Sequence, residues 1–193
     1  MTMTLSGSCR CSAIRFQVES HTPYPYQLCY CSICRKTAGG GGFAINLGAV
    51  ANTLAVEGRE ALSIYRAEIA DDQGHCATSE GQRHFCRHCA AALWLFDPRW
   101  PDLVHPFASA IDSELPIPPT RVHMMLGSRA GWAEPVIGPH DQCFDEYPEQ
   151  SIEEWHRTRD LWIPRRIGNS RTFGRLLDYR SVDRRNSNRK HTG

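Results

Sequence analysis

Through the body of the chain, apolar and polar positions alternate with a period of two, the pattern of short strands that bury one face. Ile14, Phe16 and Val18 alternate with Arg15, Gln17 and Glu19. Phe43, Ile45 and Leu47 alternate around Ala44 and Asn46, after four glycines (Gly39 to Gly42) that permit an unusual backbone path. Leu54 and Val56 lead to a Glu57-Gly58 turn, and Leu62 and Ile64 read as the return strand. Leu93 and Leu95 alternate with Trp94 and Phe96, and Val122, Met124 and Leu126 make the last clear strand. Residues 67–82 and the proline-rich 116–119 read as loops. One helix is expected, late in the chain. Ser151 and Glu154 form a capping box, and Ile152, Trp155 and Trp162 recur near the helical spacing until Pro164 stops the run. The expected class is mainly β with one C-terminal helix.

At 193 residues there is room for one good-sized domain with appendages. A hydrophobic content of 41% and a formal charge of +1 exclude collagen-like, disordered and globally nucleic-acid-like compositions. The longest nearly unbroken apolar run, Cys89 to Phe96, is far short of the about 18 residues a membrane span needs, so no membrane partner is expected. The stretch from Met1 to Gly7 has neither a basic nor an apolar region, so the expectation is a chain with no secretory signal in a reducing cytoplasm. Charge is uneven. Residues 164–193 hold nine Lys and Arg against Asp178 and Asp183, a net +7, which leaves −6 on the rest. The tail reads as a disordered, solvated appendage, with nucleic acid as a less favoured partner.

Cysteine changes the picture. Nine cysteines, an odd number without a signal, argue for metal ligation or thiol chemistry over a disulfide framework. Seven fall in three tight groups: Cys9-x-Cys11, Cys29-x-Cys31-x-x-Cys34 and Cys86-x-x-Cys89. Thiolates are soft ligands that select zinc or iron–sulfur centres, and zinc is the natural guest. Two paired groups would close a structural site, whereas three thiolates leave a tetrahedron one ligand short. Spacing alone leaves other partitions open, since Cys29, Cys31 and Cys34 could equally join Cys86. Cys76 and Cys143 stand alone and read as buried structural thiols.

The strings Gly7-Ser8-Cys9-Arg10-Cys11, Cys29-Tyr30-Cys31-Ser32-Ile33-Cys34-Arg35-Lys36-Thr37-Ala38-Gly39 and Phe85-Cys86-Arg87-His88-Cys89 resemble the glutathione-dependent formaldehyde-activating enzyme family, of the centromere-protein-V type. The resemblance runs from about Gly7 to Trp132, with Asp112, His123 and Trp132 in their usual places. Phe144 to Pro148 and Ser151 to His156 resemble a C-terminal extension seen in part of that family. The implied fold is a β-tent of small antiparallel sheets organised around two zinc sites. The implied ligands are Cys9, Cys11, Cys86 and Cys89 for a structural zinc, and Cys29, Cys31 and Cys34 for a second, catalytic-type zinc. The implied boundaries are 1–135 for the zinc-binding domain, 136–163 for the extension and 164–193 for the tail. Ser12 and Ala90 stand where the family carries glycine, at turns that favour a left-handed backbone, and should strain them by about 1 kcal/mol each.

The implied reaction joins formaldehyde to glutathione to give S-hydroxymethylglutathione and is classed with carbon–sulfur lyases. A free thiol near pKa 8.5 is a few per cent ionised at neutral pH, while a metal-bound one is deprotonated outright. A thiol adduct with a small aldehyde is therefore the expected chemistry. His123 is the candidate proton donor, ahead of His105, and Arg35 and Lys36 would receive the carboxylates of a glutathione-like thiol. Asp112 reads as closing a turn. The competing class is a non-catalytic zinc module that binds protein or nucleic acid; the three-cysteine group argues against it, because a scaffold has no need of an incomplete site.

Overall fold

Burial along Arg15–Ser20 alternates residue by residue, with Phe16, Val18 and Ser20 inside and Arg15, Gln17 and Glu19 outside. The computed structural model describes residues 3–70 and 73–162. Its elements run β1 (Met3–Ser8), β2 (Arg15–Ser20), β3 (Tyr26–Cys29), α1 (Ser32–Ala38), β4 (Ala44–Asn46), β5 (Ala49–Val50), β6 (Ala55–Glu57), β7 (Leu62–Tyr65), β8 (Glu68–Ala70), β9 (Cys76–Thr78), β10 (Gln82–Cys86), β11 (Ala92–Phe96), β12 (Leu103–Pro106), β13 (Arg121–Met124), β14 (Gln142–Cys143) and α2 (Ile152–Arg157). The mainly β class is as expected. Among the described residues no helix is long and apolar enough to cross a membrane.

The strands form small sheets. β1, β2 and β6 make one, and β5, β12, β11, β10 and β7 lie side by side in a second, both antiparallel. The third, in the order β14, β13, β3, β4, is mixed, because β13 runs parallel to both β3 and β14. The expectation of purely antiparallel sheets fails there. The long connection from β3 to β13 is what allows two strands of the same direction to lie together. Phe16 of the first sheet meets Trp94 of the second edge to face, with ring centroids 5.2 Å apart. Around that contact Leu5, Ile14, Leu47, Leu93 and Val104 are fully enclosed, each stabilising the fold by about 1.5–3 kcal/mol.

Four local expectations are corrected. Gly58 does turn the chain, at φ +72°, and a Cβ there would collide with the Ala13 carbonyl. The turn continues into a 3-10 segment over Arg59–Ala61, so β7 leaves for another sheet: β6 pairs with β2, and β7 with β10. The loop expected over 67–82 contains the hairpin of β8 and β9, whose residues are all exposed and so carry no alternation to read. A second helix, α1, follows directly from the middle cysteine group. Its seven residues bury only Cys34, too little to produce a helical period. The C-terminal helix has the expected capping box but ends at Arg157, with Thr158 as C-cap and Asp160 at φ 54°, well before Pro164. Trp155 is buried and donates to the Gln142 side chain at 3.0 Å, and Trp162 lies against His21 with centroids 4.7 Å apart. The basic tail read over 164–193 lies outside the described residues.

Candidate metal centres

The two outer cysteine groups sit on matched turns. In the first, Cys9 receives a hydrogen bond on its sulfur from the Ile14 amide at 3.2 Å, and the Ser12 amide donates to the Cys9 carbonyl at 2.9 Å. In the second, the Ala90 amide donates to the Cys86 carbonyl at 2.8 Å. Ser12 and Ala90 both stand at φ 59°, the left-handed backbone expected where the family carries glycine. The turns face one another. The Cys11 sulfur is 3.5 Å from that of Cys9 and 3.7 Å from that of Cys86, and the ligand atoms of Cys9, Cys11, Cys86 and Cys89 all lie within 4.8 Å of one another. Hydrogen bonds from the Ala91 and Cys11 backbone bring Cys89 down to about 6. Although the Ala13 backbone favours its thiolate, hydrogen bonding with Cys9 and its other thiol neighbours raises Cys11 to about 11. Four sulfurs this close share protons, because four adjacent negative charges need a cation among them.

The middle group forms where β3 runs into α1. Cys29 ends the strand, Cys31 caps the helix by accepting the Cys34 amide on its sulfur at 3.3 Å, and Cys34 lies in the first turn. The three sulfurs are within 4.8 Å of one another, with Cys29 and Cys34 buried and Cys31 half-buried. Hydrogen bonds donated by Cys29 and Cys34 bring Cys31 down to about 2, and the same interactions push Cys29 up. The donor sets, four thiols and three, suit soft metal ions, so both clusters could hold one. The seven clustered cysteines thus divide four plus three, the partition that spacing left open and the resemblance implied.

The other predicted site residues fall in three places. Lys36 is exposed on α1, and Arg35 beside it is half-buried with its Nε unpartnered. His123 is fully buried on β13, held at Nδ1 by the Tyr30 hydroxyl at 3.0 Å and at Nε2 by Asp141 at 3.2 Å. It reaches the middle group through Tyr30, which lies between Cys29 and Cys31 in sequence. His105 has its Nδ1 3.2 Å from the Leu47 carbonyl, and the exposed Asp112 joins its amide to the Ser6 carbonyl at 2.8 Å, as expected of a turn residue. Cys76 and Cys143, read as buried thiols, are both exposed. They sit on β9 and on the two-residue strand β14, neither of which has a layer above it.

Two neighbours of the middle group were not singled out from the sequence. Arg83, on β10 between β11 and the edge strand β7, is 8% exposed and places Nη2 3.9 Å from the Cys34 sulfur. Its one sequence signal is a charge in period two with Phe85. Tyr147 arrives from the extension, where the Phe144 and Glu146 carbonyls accept the Leu126 and Met125 amides. Its ring is largely exposed, yet the crowding around its hydroxyl, reinforced by the charges of Cys29, Cys31 and Cys34, raises its pKa.

A mainly β chain of small sheets that gathers four thiols at one place and three at another is, by fold and site, a small β domain with two cysteine clusters that could each hold a metal ion. Residues 4–126 match the family model described as glutathione-dependent formaldehyde-activating enzyme. A protein of Halomonas elongata named "Putative glutathione-dependent formaldehyde-activating enzyme" is 61% identical over 154 residues, which cover 80% of this chain and 95% of that one. A solved structure of a Rhodobacter sphaeroides protein is 24% identical, with a TM-score of 0.44 over 59% of this chain and 92% of that one. The chain belongs to the glutathione-dependent formaldehyde-activating enzyme family.

Proposed function

We propose that the protein is a carbon–sulfur lyase that joins a small thiol to a small aldehyde, glutathione and formaldehyde being the pair the family name supplies. Sulfur adds to the carbonyl carbon, the carbonyl electron pair goes to oxygen, and the proton the thiol gives up is balanced by one delivered to that oxygen. The observation that carries this reading is the three-thiol group, Cys29, Cys31 and Cys34, one donor short of a tetrahedral set. Zinc is the ion proposed for both clusters, two per chain; when bound at the middle group it would supply an open position that favours the thiolate form of an incoming thiol.

The chain's own groups do the rest. Tyr147, whose hydroxyl is within reach of the charges of Cys29, Cys31 and Cys34, is proposed as the group that gives its Oη proton to the developing alkoxide. His123 holds the Tyr30 hydroxyl and so fixes the backbone between Cys29 and Cys31; its part in the reaction is proposed as positioning through that contact. Arg35 and Lys36, on the helix that carries Cys34, are proposed to receive the thiol's carboxylates. Nine free thiols suit a reducing compartment, and the cytoplasm is the proposed location. The test is exchange spectroscopy on glutathione and formaldehyde at equilibrium. Metal-loaded protein should raise the exchange rate above the spontaneous one, and Cys31→Ser should not. An exchange rate equal to the background would sink the proposal.

A further inference from the structure

We infer that Arg83 is a buried counter-charge which makes the middle cysteine group selective for an anionic fourth ligand, and so determines that the group takes a thiolate in preference to a neutral donor. The inference rests on the reading of that group as the reacting centre and adds a specificity-determining residue to it. Arg83 is almost fully buried, and its Nε and Nη1 have no partner among the described residues. No acidic side chain pairs with it there. Its Nη2 donates to the Cys34 sulfur at 3.9 Å.

The lining around it carries no negative side chain. Arg83 shares a cavity of about 280 Å³ with Thr37, Tyr65, His84, Phe85 and Phe107, and Phe107 also lies against Cys29 and Cys34. An unpaired guanidinium in such a place is costly unless a negative charge stands nearby, since the low local dielectric strengthens both the penalty and the attraction. A divalent ion held by three thiolates carries a net negative charge, and a fourth thiolate adds one more. A fixed cation at the Cys34 side offsets that second charge. It gives nothing to a neutral fourth donor.

The experiment uses the full chain loaded with cobalt, whose visible spectrum reports the donors at the metal. The probes are 2-mercaptoethanol, which binds as a thiolate with a neutral body, and imidazole, which binds neutral. Arg83→Met removes the charge while filling the apolar surroundings; Arg83→Lys keeps a charge and should retain most of the preference, which covers the case in which the methionine variant does not fold. Thiolate affinity should fall about 30-fold in Arg83→Met, the scale expected when one member of a buried charge pair is removed, with imidazole affinity changed less than about twofold. Equal loss for both probes, or no loss for either, overturns the inference while leaving the proposed function in place. If wild type binds no thiol at all, both fall together.

Discussion

Ser12 and Ala90 share one backbone conformation, φ 59° at each, although 78 positions separate them in the chain. Each follows directly on a cysteine of the four-thiol cluster, and each carries a side chain where the left-handed region prefers none. Ser12→Gly and Ala90→Gly should therefore stabilise the fold, by up to about 1 kcal/mol each after the added freedom of the unfolded chain is counted. Thermal melts of the metal-loaded protein would show this as a rise of about 2–4 °C per substitution. A fall in both variants would mean that the side chains make compensating contacts.

Metal content follows from the division of the cysteines. Protein purified without chelator should carry about two zinc ions per chain, and the four-thiol ion should contribute on the order of 10–16 kcal/mol, as much as a domain's entire stability. Cys86→Ser is expected to be insoluble, whereas Cys31→Ser should lose one ion and stay folded. Elemental analysis of freshly made protein decides it; one ion or none in wild type contradicts the four plus three division.

Tyr30→Phe leaves His123 Nδ1 buried without its partner. The expected cost is about 1–3 kcal/mol, read by urea denaturation. If His123 acts by positioning, exchange activity should fall in step in Tyr30→Phe and His123→Gln without a change in the pH profile. A limb lost from the profile in His123→Gln would instead make the imidazole a proton carrier.

Acid should loosen the C-terminal helix. Burial lowers the pKa of His156, opposed by the hydrogen bond it shares with the Tyr24 carbonyl at 2.6 Å. The fold thus favours the neutral ring, while in the unfolded chain the residue takes up a proton near pH 6.5. The unfolded state binds more protons below that value, so the contribution is complete above about pH 6.5 and declines as pH falls. His156→Gln can keep the donor and cannot charge, and it should flatten the drop in melting temperature between pH 6.5 and 5. An unchanged slope would place the acid sensitivity elsewhere.

The cysteine groups were legible because metal-ligand spacing is a local signal, and strands such as β2 because their burial alternates within six residues. The pairing of Cys9 and Cys11 with Cys86 and Cys89 was not legible from spacing and came only from the family resemblance, since it is made by sheets that bring together positions 75 apart. For the same reason nothing in the sequence marked Arg83: the residues that surround its side chain, Thr37 and Cys34 of α1 and Phe107 after β12, lie far from it in the chain. His123 was visible as a candidate, but its partners Tyr30 and Asp141 stand 93 and 18 residues away. Cys143 was misread because apolar character alone says nothing of whether a layer covers the strand.

The span between the two halves of the four-thiol cluster also orders events during synthesis. Cys29, Cys31 and Cys34 emerge together and close a loop of a few residues, whereas Cys9 and Cys11 must wait for residue 89. Closing the longer loop costs about 2 kcal/mol more in chain entropy, by the logarithmic dependence on length. A nascent chain therefore exposes five cysteines near its N-terminus before the correct partners of the first two exist. An ion captured at that stage by Cys9, Cys11 and the middle group would be held in a non-native arrangement and would have to exchange out of it once Cys86 and Cys89 emerge.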